Sequence, residues 1–216
     1  MLPRSRIAMT MLFCVGAGAA YGQQEPAAAN PEKCAELHID DKASTALRQP
    51  WTQPSNRGCT VRTAHGLQLP DAKCTPGAVN PTVTLQILRA PGFTTRCLRD
   101  DVTSEERKAA TYDWYGIKHP RNNDGQSQTC ELDHLVPLEM GGADTLDNIW
   151  PQCGPAGVAL DQRFFKRKDK VEDYLTAMIR AGKMDIDAAR RGIAGDWTKF
   201  LDEADAACKS GPCEIK

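Results

Sequence analysis

The sequence predicts an α+β fold that is held by disulfide bonds and carries a loop-rich N-terminal appendage. Two short apolar segments flank a Gly-Gly turn, and stretches with helical periodicity follow them. An even set of cysteines remains once a predicted processing segment is set aside. With 216 residues and a formal net charge of -1, the chain fits one domain, and binding to nucleic acid would require a local basic patch.

The first 22 residues have the pattern of a secretory signal peptide. Two arginines precede an apolar run that ends at Ala20, and Gly22 supplies a small residue before a cut expected ahead of Gln23. The run is shorter than the roughly 20 residues needed to cross a bilayer, so we expect no membrane span. We therefore expect a secreted or periplasmic protein in which residues 23–33 form a flexible lead.

The cysteines predict four disulfide bonds. Loss of Cys14 with the signal peptide leaves eight cysteines in an oxidising compartment, and the absence of a Cys-x-x-Cys pair argues against zinc ligation. Of the roughly 105 possible connectivities, the sequence favours two pairings: Cys130 with Cys153, and Cys208 with Cys213. The eight cysteines are Cys34, Cys59, Cys74, Cys97, Cys130, Cys153, Cys208 and Cys213.

Three parts follow the lead. Residues 34–80 form a cysteine-containing appendage with several prolines and little periodicity, residues 81–207 form the main domain, and residues 208–216 form a C-terminal disulfide turn. The main domain opens with an alternating segment from Pro81 to Leu88, which predicts a strand. A helix is then expected from Ser104 to Tyr115.

Two helices are expected in the last third of the chain. The first runs from about residue 159 to residue 181, with an apolar face, a charged face and Gly182 as its stop. The second begins near Asp185 and continues to about Ala207.

The segment from Cys130 to Cys153 carries the residues with chemical potential. Asp133 offers oxygen ligands for a hard cation, and His134 can take a proton from water near neutral pH. A glycine pair then permits a tight bend, so Asn148 is expected to return towards His134 on a second short strand. This combination is the minimum that metal-assisted hydrolysis requires.

This segment resembles one branch of the HNH nucleases. The resemblance rests on Glu131-Leu-Asp-His-Leu-Val-Pro-Leu-Glu-Met-Gly-Gly and on Asn148-Ile-Trp-Pro-Gln152, where that branch has Asp-His-x-x-Pro-Leu and Asn-Leu-Trp-Pro-Gln. It extends from about Val83 to Phe200. It implies a small ββα-metal finger embedded among helices, within an HNH-type nuclease domain.

The resemblance also implies roles for single residues. His134 corresponds to the general base that activates water, Asn148 to the residue that orients the imidazole, and Asp133 to a ligand of one divalent cation. Mg²⁺ is favoured, with Mn²⁺ close behind, because the ligands are oxygens. No histidine follows His134 to supply the last ligand of the HNH pattern. Asp169 is the favoured substitute and Asp161 the alternative, although either could be a solvated acid paired with a lysine.

The densest basic run lies beside the proposed site. As nucleic-acid contacts these side chains would follow the phosphates, with an affinity that falls as salt rises. The competing interpretation is a solvated helix face balanced by neighbouring acids. The run consists of Arg163, Lys166, Arg167, Lys168 and Lys170.

The sequence thus predicts an exported, metal-dependent nuclease that hydrolyses phosphodiester bonds. DNA is the favoured substrate and RNA the alternative, and an inhibitor protein is expected if the nuclease is a toxin. The main alternative is a catalytically inactive HNH-fold module that binds nucleic acid or protein. A purely structural secreted domain is a third hypothesis.

Overall fold

Helices surround three small antiparallel sheets in the computed structural model, which describes residues 31–99, 105–209 and 211–215. The fold is α+β, as predicted. The strands are β1 (Thr45–Ala46), β2 (Arg62–Ala64), β3 (Leu67–Leu69), β4 (Ala78–Val79), β5 (Cys130–His134) and β6 (Ile149–Cys153). Strand β1 pairs with β4, β2 with β3, and β5 with β6.

The helices are of unequal length. They are α1 (Pro31–Glu36), α2 (Leu85–Leu88), α3 (Glu105–Tyr115), α4 (Phe164–Arg180), α5 (Ile186–Asp196) and α6 (Leu201–Ala207). Short 3-10 turns span Thr95–Leu98, Gly125–Ser127, Leu138–Met140, Leu160–Gln162 and Trp197–Phe200. The predicted signal peptide lies outside the described residues. Ser104, the first residue of the helix predicted to end at Tyr115, also lies outside them.

Helix α4 is the centre of the core. Its buried positions recur at helical spacing, with Phe165, Val171, Leu175 and Ile179 fully buried. The opposite side is charged, and the helix ends before Gly182, which adopts the left-handed conformation with φ of 72°. The predicted helix is therefore confirmed, although its regular α-helical part begins at Phe164.

Two predicted elements are wrong. The expected strand from Pro81 to Leu88 contains helix α2, because the Thr84 hydroxyl accepts a hydrogen bond from the Ile87 backbone N–H and caps a helical turn. The single helix expected from Asp185 to Ala207 is divided into α5, a 3-10 turn and α6. Its division follows from Asp196, whose carboxylate accepts a hydrogen bond from the Thr198 N–H at 3.1 Å.

Residues 34–80 are not a separate appendage. Leu69 belongs to the same buried cluster as Val83 and Leu175. Trp197 donates a hydrogen bond from its indole Nε1 to the Gln68 carbonyl at 2.9 Å. Residues on both sides of the predicted boundary therefore share one core, which explains why the first part lacks a hydrophobic pattern of its own.

Four disulfide bonds join the described cysteines. The two predicted pairings, Cys130 with Cys153 and Cys208 with Cys213, are confirmed. The others join Cys34 to Cys97 and Cys59 to Cys74. Four disulfides indicate an oxidising environment, extracellular or periplasmic. None of the helices in the described ranges is long and apolar enough to cross a bilayer.

Candidate functional site

The disulfide between Cys130 and Cys153 fixes the register of the β5–β6 hairpin. The two cysteines lie directly opposite each other, which places Asp133 opposite Trp150 and His134 opposite Ile149. One step beyond this ladder, the Leu135 N–H donates to the Asn148 carbonyl at 2.7 Å.

A tight bend follows His134 and requires its glycines. Gly141 has a φ of 77°, in the left-handed region that favours glycine. A Cβ atom at Gly142 would lie 1.9 Å from the Val136 carbonyl oxygen, so any side chain there would displace the loop. The bend carries Asp144 back over the end of strand β5.

Asn148 holds this loop, and its side-chain hydrogen bonds within the described residues go to backbone groups and not to the imidazole. Its Oδ1 accepts hydrogen bonds from the N–H groups of Val136 and Ala78 at 2.9 and 3.2 Å. Its Nδ2 donates to the carbonyls of Val136 and Ala143 at 2.9 and 2.8 Å. The Asn148 amide therefore shapes the loop from which Asp144 reaches the ring, so any influence of Asn148 on the orientation of His134 acts through that loop.

Asp144 is the acid that contacts His134. The distance from His134 Nε2 to Asp144 Oδ1 is 2.7 Å, and Lys108 Nζ from helix α3 lies 3.2 Å from the same oxygen. The Asp144 side chain is almost completely buried, whereas the His134 side chain is 12% exposed to solvent. The imidazole is therefore partly accessible to solvent.

Burial and neighbouring charges keep His134 neutral near pH 7. Burial lowers the pKa of His134 below 6.5, and the charges of Arg99 and Lys108 add to this, although Asp144 opposes it. Burial disfavours ionisation of Asp144, but His134 and Lys108 outweigh it and hold the Asp144 pKa below 3.8. Asp144 is therefore ionised when His134 is neutral.

The protonation states fix the tautomer of the ring. An ionised carboxylate only accepts hydrogen bonds, so Nε2 must carry the proton that it donates to Asp144. Nδ1 then carries a lone pair. Within the described part of the chain the imidazole has no second hydrogen-bond partner. This nitrogen can accept a proton from a water molecule.

Asp133 faces a different environment from His134. Trp150 donates from Nε1 to Asp133 Oδ2 at 2.9 Å, and Lys168 Nζ lies 3.0 Å from both carboxylate oxygens. Lys168 also donates to the His134 carbonyl at 2.8 Å and to Glu172. The three N–H groups of the ammonium thus have three acceptors.

Charge holds this buried cluster together. Burial alone would lower the pKa of Lys168, but the carboxylates of Asp133 and Glu172 raise it well above its ordinary value, so the ammonium stays charged. Burial and the neighbouring carboxylates raise the pKa of Glu172 well above 4.5. One ammonium therefore balances two buried carboxyl groups, Asp133 and Glu172, and burial raises the pKa of each.

The cation expected from the resemblance does not fit these residues. Both oxygens of Asp133 already accept hydrogen bonds, and a buried ammonium stands beside them. Asp169 pairs with Lys166 at 2.7 Å, and Asp161 is exposed in the turn before α4. Within the described ranges, no three acidic, histidine or cysteine side chains converge as a metal site would require.

The basic run is already paired with protein groups. Arg167 and Lys170 both bind Asp205 of helix α6, at 2.6 and 2.8 Å. Arg163 is buried and donates to the Pro155 carbonyl. With Lys166 on Asp169 and Lys168 buried, the interpretation of the run as a charge-balanced helix face describes the structure better than a row of phosphate contacts.

Sequence reasoning missed the groups that complete the site. The hairpin register could have identified Trp150 as the partner of Asp133, because each residue lies three positions from its disulfide-bonded cysteine. The loop between β5 and β6 contains several acidic residues, any of which could reach His134, but the sequence does not indicate which one does. Nothing local indicates Lys108, which belongs to a helix distant along the chain.

Comparison with known proteins adds no relative. No family model matches the chain, and neither a curated protein nor a solved structure matches it.

Proposed function

We propose that this protein is an exported nuclease of the HNH type that hydrolyses phosphodiester bonds, with DNA as the favoured substrate and RNA as the alternative. The hydrogen bond between His134 Nε2 and Asp144 at 2.7 Å carries the proposal, because it leaves the lone pair on Nδ1 of a side chain that is partly accessible to solvent. The β5–β6 hairpin and helix α4 supply the order of elements that the resemblance implies.

His134 acts as general base in the proposed reaction. Nδ1 takes a proton from water while the water oxygen forms a bond to phosphorus. The bond from phosphorus to the leaving oxygen breaks, and that oxygen takes a proton from solvent. Asp144 stabilises the imidazolium that forms, since its carboxylate lies against Nε2.

Positive charge at the site attracts the phosphate. Arg99 and Lys108 lower the pKa of His134 through their charges, so both cations act at the imidazole. The same field favours an anionic phosphodiester over a neutral ligand. Arg99 is exposed and can reach a bound phosphate, whereas Lys108 is buried against Asp144.

A cleavage assay tests the function. The mature protein is incubated with plasmid DNA and with structured RNA, in separate reactions containing Mg²⁺, Mn²⁺ or EDTA. His134→Ala, purified in parallel, controls for contaminating nuclease, and His65→Ala is the matched exposed-histidine control. We expect cutting by the wild type and by His65→Ala, and none by His134→Ala. Retained cutting in His134→Ala would overturn the proposal.

The alternative is an inactive module that binds nucleic acid or protein. The paired basic run and the occupied Asp133 favour it, because both remove groups that an HNH nuclease would use. Binding of plasmid or RNA without cutting in any of the three buffers would select this alternative.

The pH profile distinguishes a base from a structural histidine. The pKa of His134 lies below 6.5 because burial and the charges of Arg99 and Lys108 disfavour the imidazolium. The rate should therefore be level near pH 7 and fall about tenfold per unit once the pH drops below that pKa. Measurement of kcat/KM between about pH 8 and about pH 4.5 checks this. A profile that stays level while an NMR titration of the same sample shows His134 taking up its proton would remove His134 from the role of base.

A further inference from the structure

Lys168 occupies an unusual position for a lysine. Its side chain is fully buried at the contact between helix α4 and strand β5, and its ammonium is within hydrogen-bond distance of Asp133, the His134 carbonyl and Glu172. Lysine is rarely buried completely unless its charge is paired. The acceptors around it are two carboxyl groups and one backbone carbonyl, the oxygen donors that also bind hard divalent cations.

We infer that the Lys168 ammonium stands where a divalent cation would stand beside Asp133, and that hydrolysis at His134 proceeds without a bound metal. The inference deepens the proposed function and rests on it for the part that concerns hydrolysis. Lys168 is a positioning residue, because it holds the carbonyl of His134 and does not reach the surface where a substrate would bind.

The charges of the cluster favour the ammonium over a metal ion. Both oxygens of Asp133 already accept a hydrogen bond, one from Trp150 and one from Lys168. A divalent cation would have to displace a buried ammonium, and the two cations could not share the cluster because like charges at such short range repel strongly.

The cluster also explains why no third ligand is needed. Asp169 contacts Lys166 at 2.7 Å, and its charge raises the pKa values of Asp133 and Glu131, so it adds negative charge nearby without turning towards Asp133 as a ligand. The oxygen that HNH-type metal binding would require from helix α4 is replaced by a cation from that helix.

Two measurements test the inference on the wild-type protein. The first is Mn²⁺ binding after dialysis against EDTA, followed by the electron paramagnetic resonance signal of free and bound Mn²⁺, with Asp133→Asn as the comparison. We expect no bound Mn²⁺ that depends on Asp133. The second is cleavage in EDTA, which we expect to continue at the rate seen with Mg²⁺.

A variant provides the reverse experiment. Lys168→Ala removes the ammonium and leaves Asp133, Glu172 and the His134 carbonyl around the vacated space, and Glu172 is 17% exposed. We expect it to bind one Mn²⁺ and to gain roughly 5 °C or more in Tm at saturating Mn²⁺. Lys199→Ala, which removes an exposed lysine, is the matched control and should show neither effect.

The outcomes separate the inference from the function. Wild-type Mn²⁺ binding that is lost in Asp133→Asn, or cleavage that EDTA abolishes, would overturn the inference while the nuclease function stands. A folded Lys168→Ala variant that binds no Mn²⁺ and shows no rise in Tm with Mn²⁺ would also overturn the inference. Absence of cleavage in every buffer would overturn the function, and the Mn²⁺ measurements would still decide what occupies the position beside Asp133. If Lys168→Ala does not fold, the wild-type comparison with Asp133→Asn decides alone.

Discussion

Replacing Asp144 by asparagine is expected to lower the rate of cleavage about 10²-fold or more, within the range by which general acid–base partners accelerate reactions. Asparagine keeps the size of the side chain and an oxygen that can accept the Nε2 proton. It removes the negative charge that, in the proposed reaction, stabilises the imidazolium formed when His134 takes a proton from water. The loss should appear in kcat, because the affected charge develops during the reaction.

The pH profile shows whether Asp144 acts through the ring. The Asp144 charge raises the pKa of His134, in opposition to burial. Its removal lets the His134 pKa fall further. The acid limb of the profile, in which the rate falls as the pH decreases, should therefore move to lower pH in Asp144→Asn. A purely structural defect would reduce the rate at every pH and leave the limb in place.

Asp147→Asn is the matched control in the same loop. Asp147 is buried and accepts a hydrogen bond from Thr145, but within the described residues it forms no hydrogen bond or ion pair with His134. We expect an unchanged acid limb in this variant. An Asp144→Asn protein with wild-type kcat would contradict the assignment of Asp144 as partner of the general base.

The hairpin could be predicted because its determinants are local. Two cysteines that close a loop set the register, and a glycine pair sets the turn, so the positions of Asp133 and His134 follow from short-range rules. The pairing of His134 with Asp144 could not be derived in this way. It depends on the path of an irregular loop, which Asn148 fixes through four separate backbone groups.

Helical phase indicates that Lys168 is buried. It lies three residues from both Phe165 and Val171, two fully buried positions, and therefore on the inner face of α4. Charge alone does not distinguish Lys168 from Lys166. The phase separates the buried lysine from the half-exposed one, but it does not reveal that Asp133 is the partner.

The strand predicted at residues 81–88 is wrong, because the hydropathy pattern again lacks the deciding information. Alternation of apolar and polar residues over so short a segment does not distinguish a strand from a capped turn. Thr84 decides between them, because its hydroxyl satisfies the Ile87 N–H and stabilises helix α2. Local side-chain hydrogen bonds of this kind are not visible in a hydropathy pattern.

Replacing Asn148 by alanine should cause the largest loss of stability among the site residues. The change leaves four backbone groups of Val136, Ala143 and Ala78 without the amide that binds them in a fully buried position. Buried groups that lose their partner cost about 1–3 kcal/mol each, and partial relaxation of the loop makes about 3 kcal/mol a reasonable total. For a chain of this size that corresponds to a fall of roughly 6–12 °C in Tm.

Thermal and urea unfolding of the disulfide-bonded protein measure this effect. Asn122→Ala is the control, since Asn122 is exposed in the segment before β5, and its change in unfolding free energy should stay within about 0.5 kcal/mol. A melting temperature for Asn148→Ala equal to that of Asn122→Ala would show that the loop does not depend on the amide.

Asn148→Ala and Asp144→Asn should differ in their effect on the pH profile. Asn148 acts on His134 only through the loop that carries Asp144, so molecules of Asn148→Ala that remain folded at low temperature retain the same pair of titrating groups. Their rate should be lower because the loop is less ordered, but their acid limb should stay at the wild-type pH. A limb that moves as it does in Asp144→Asn would mean that Asn148 contributes directly to the electrostatics of the ring, as the resemblance implies.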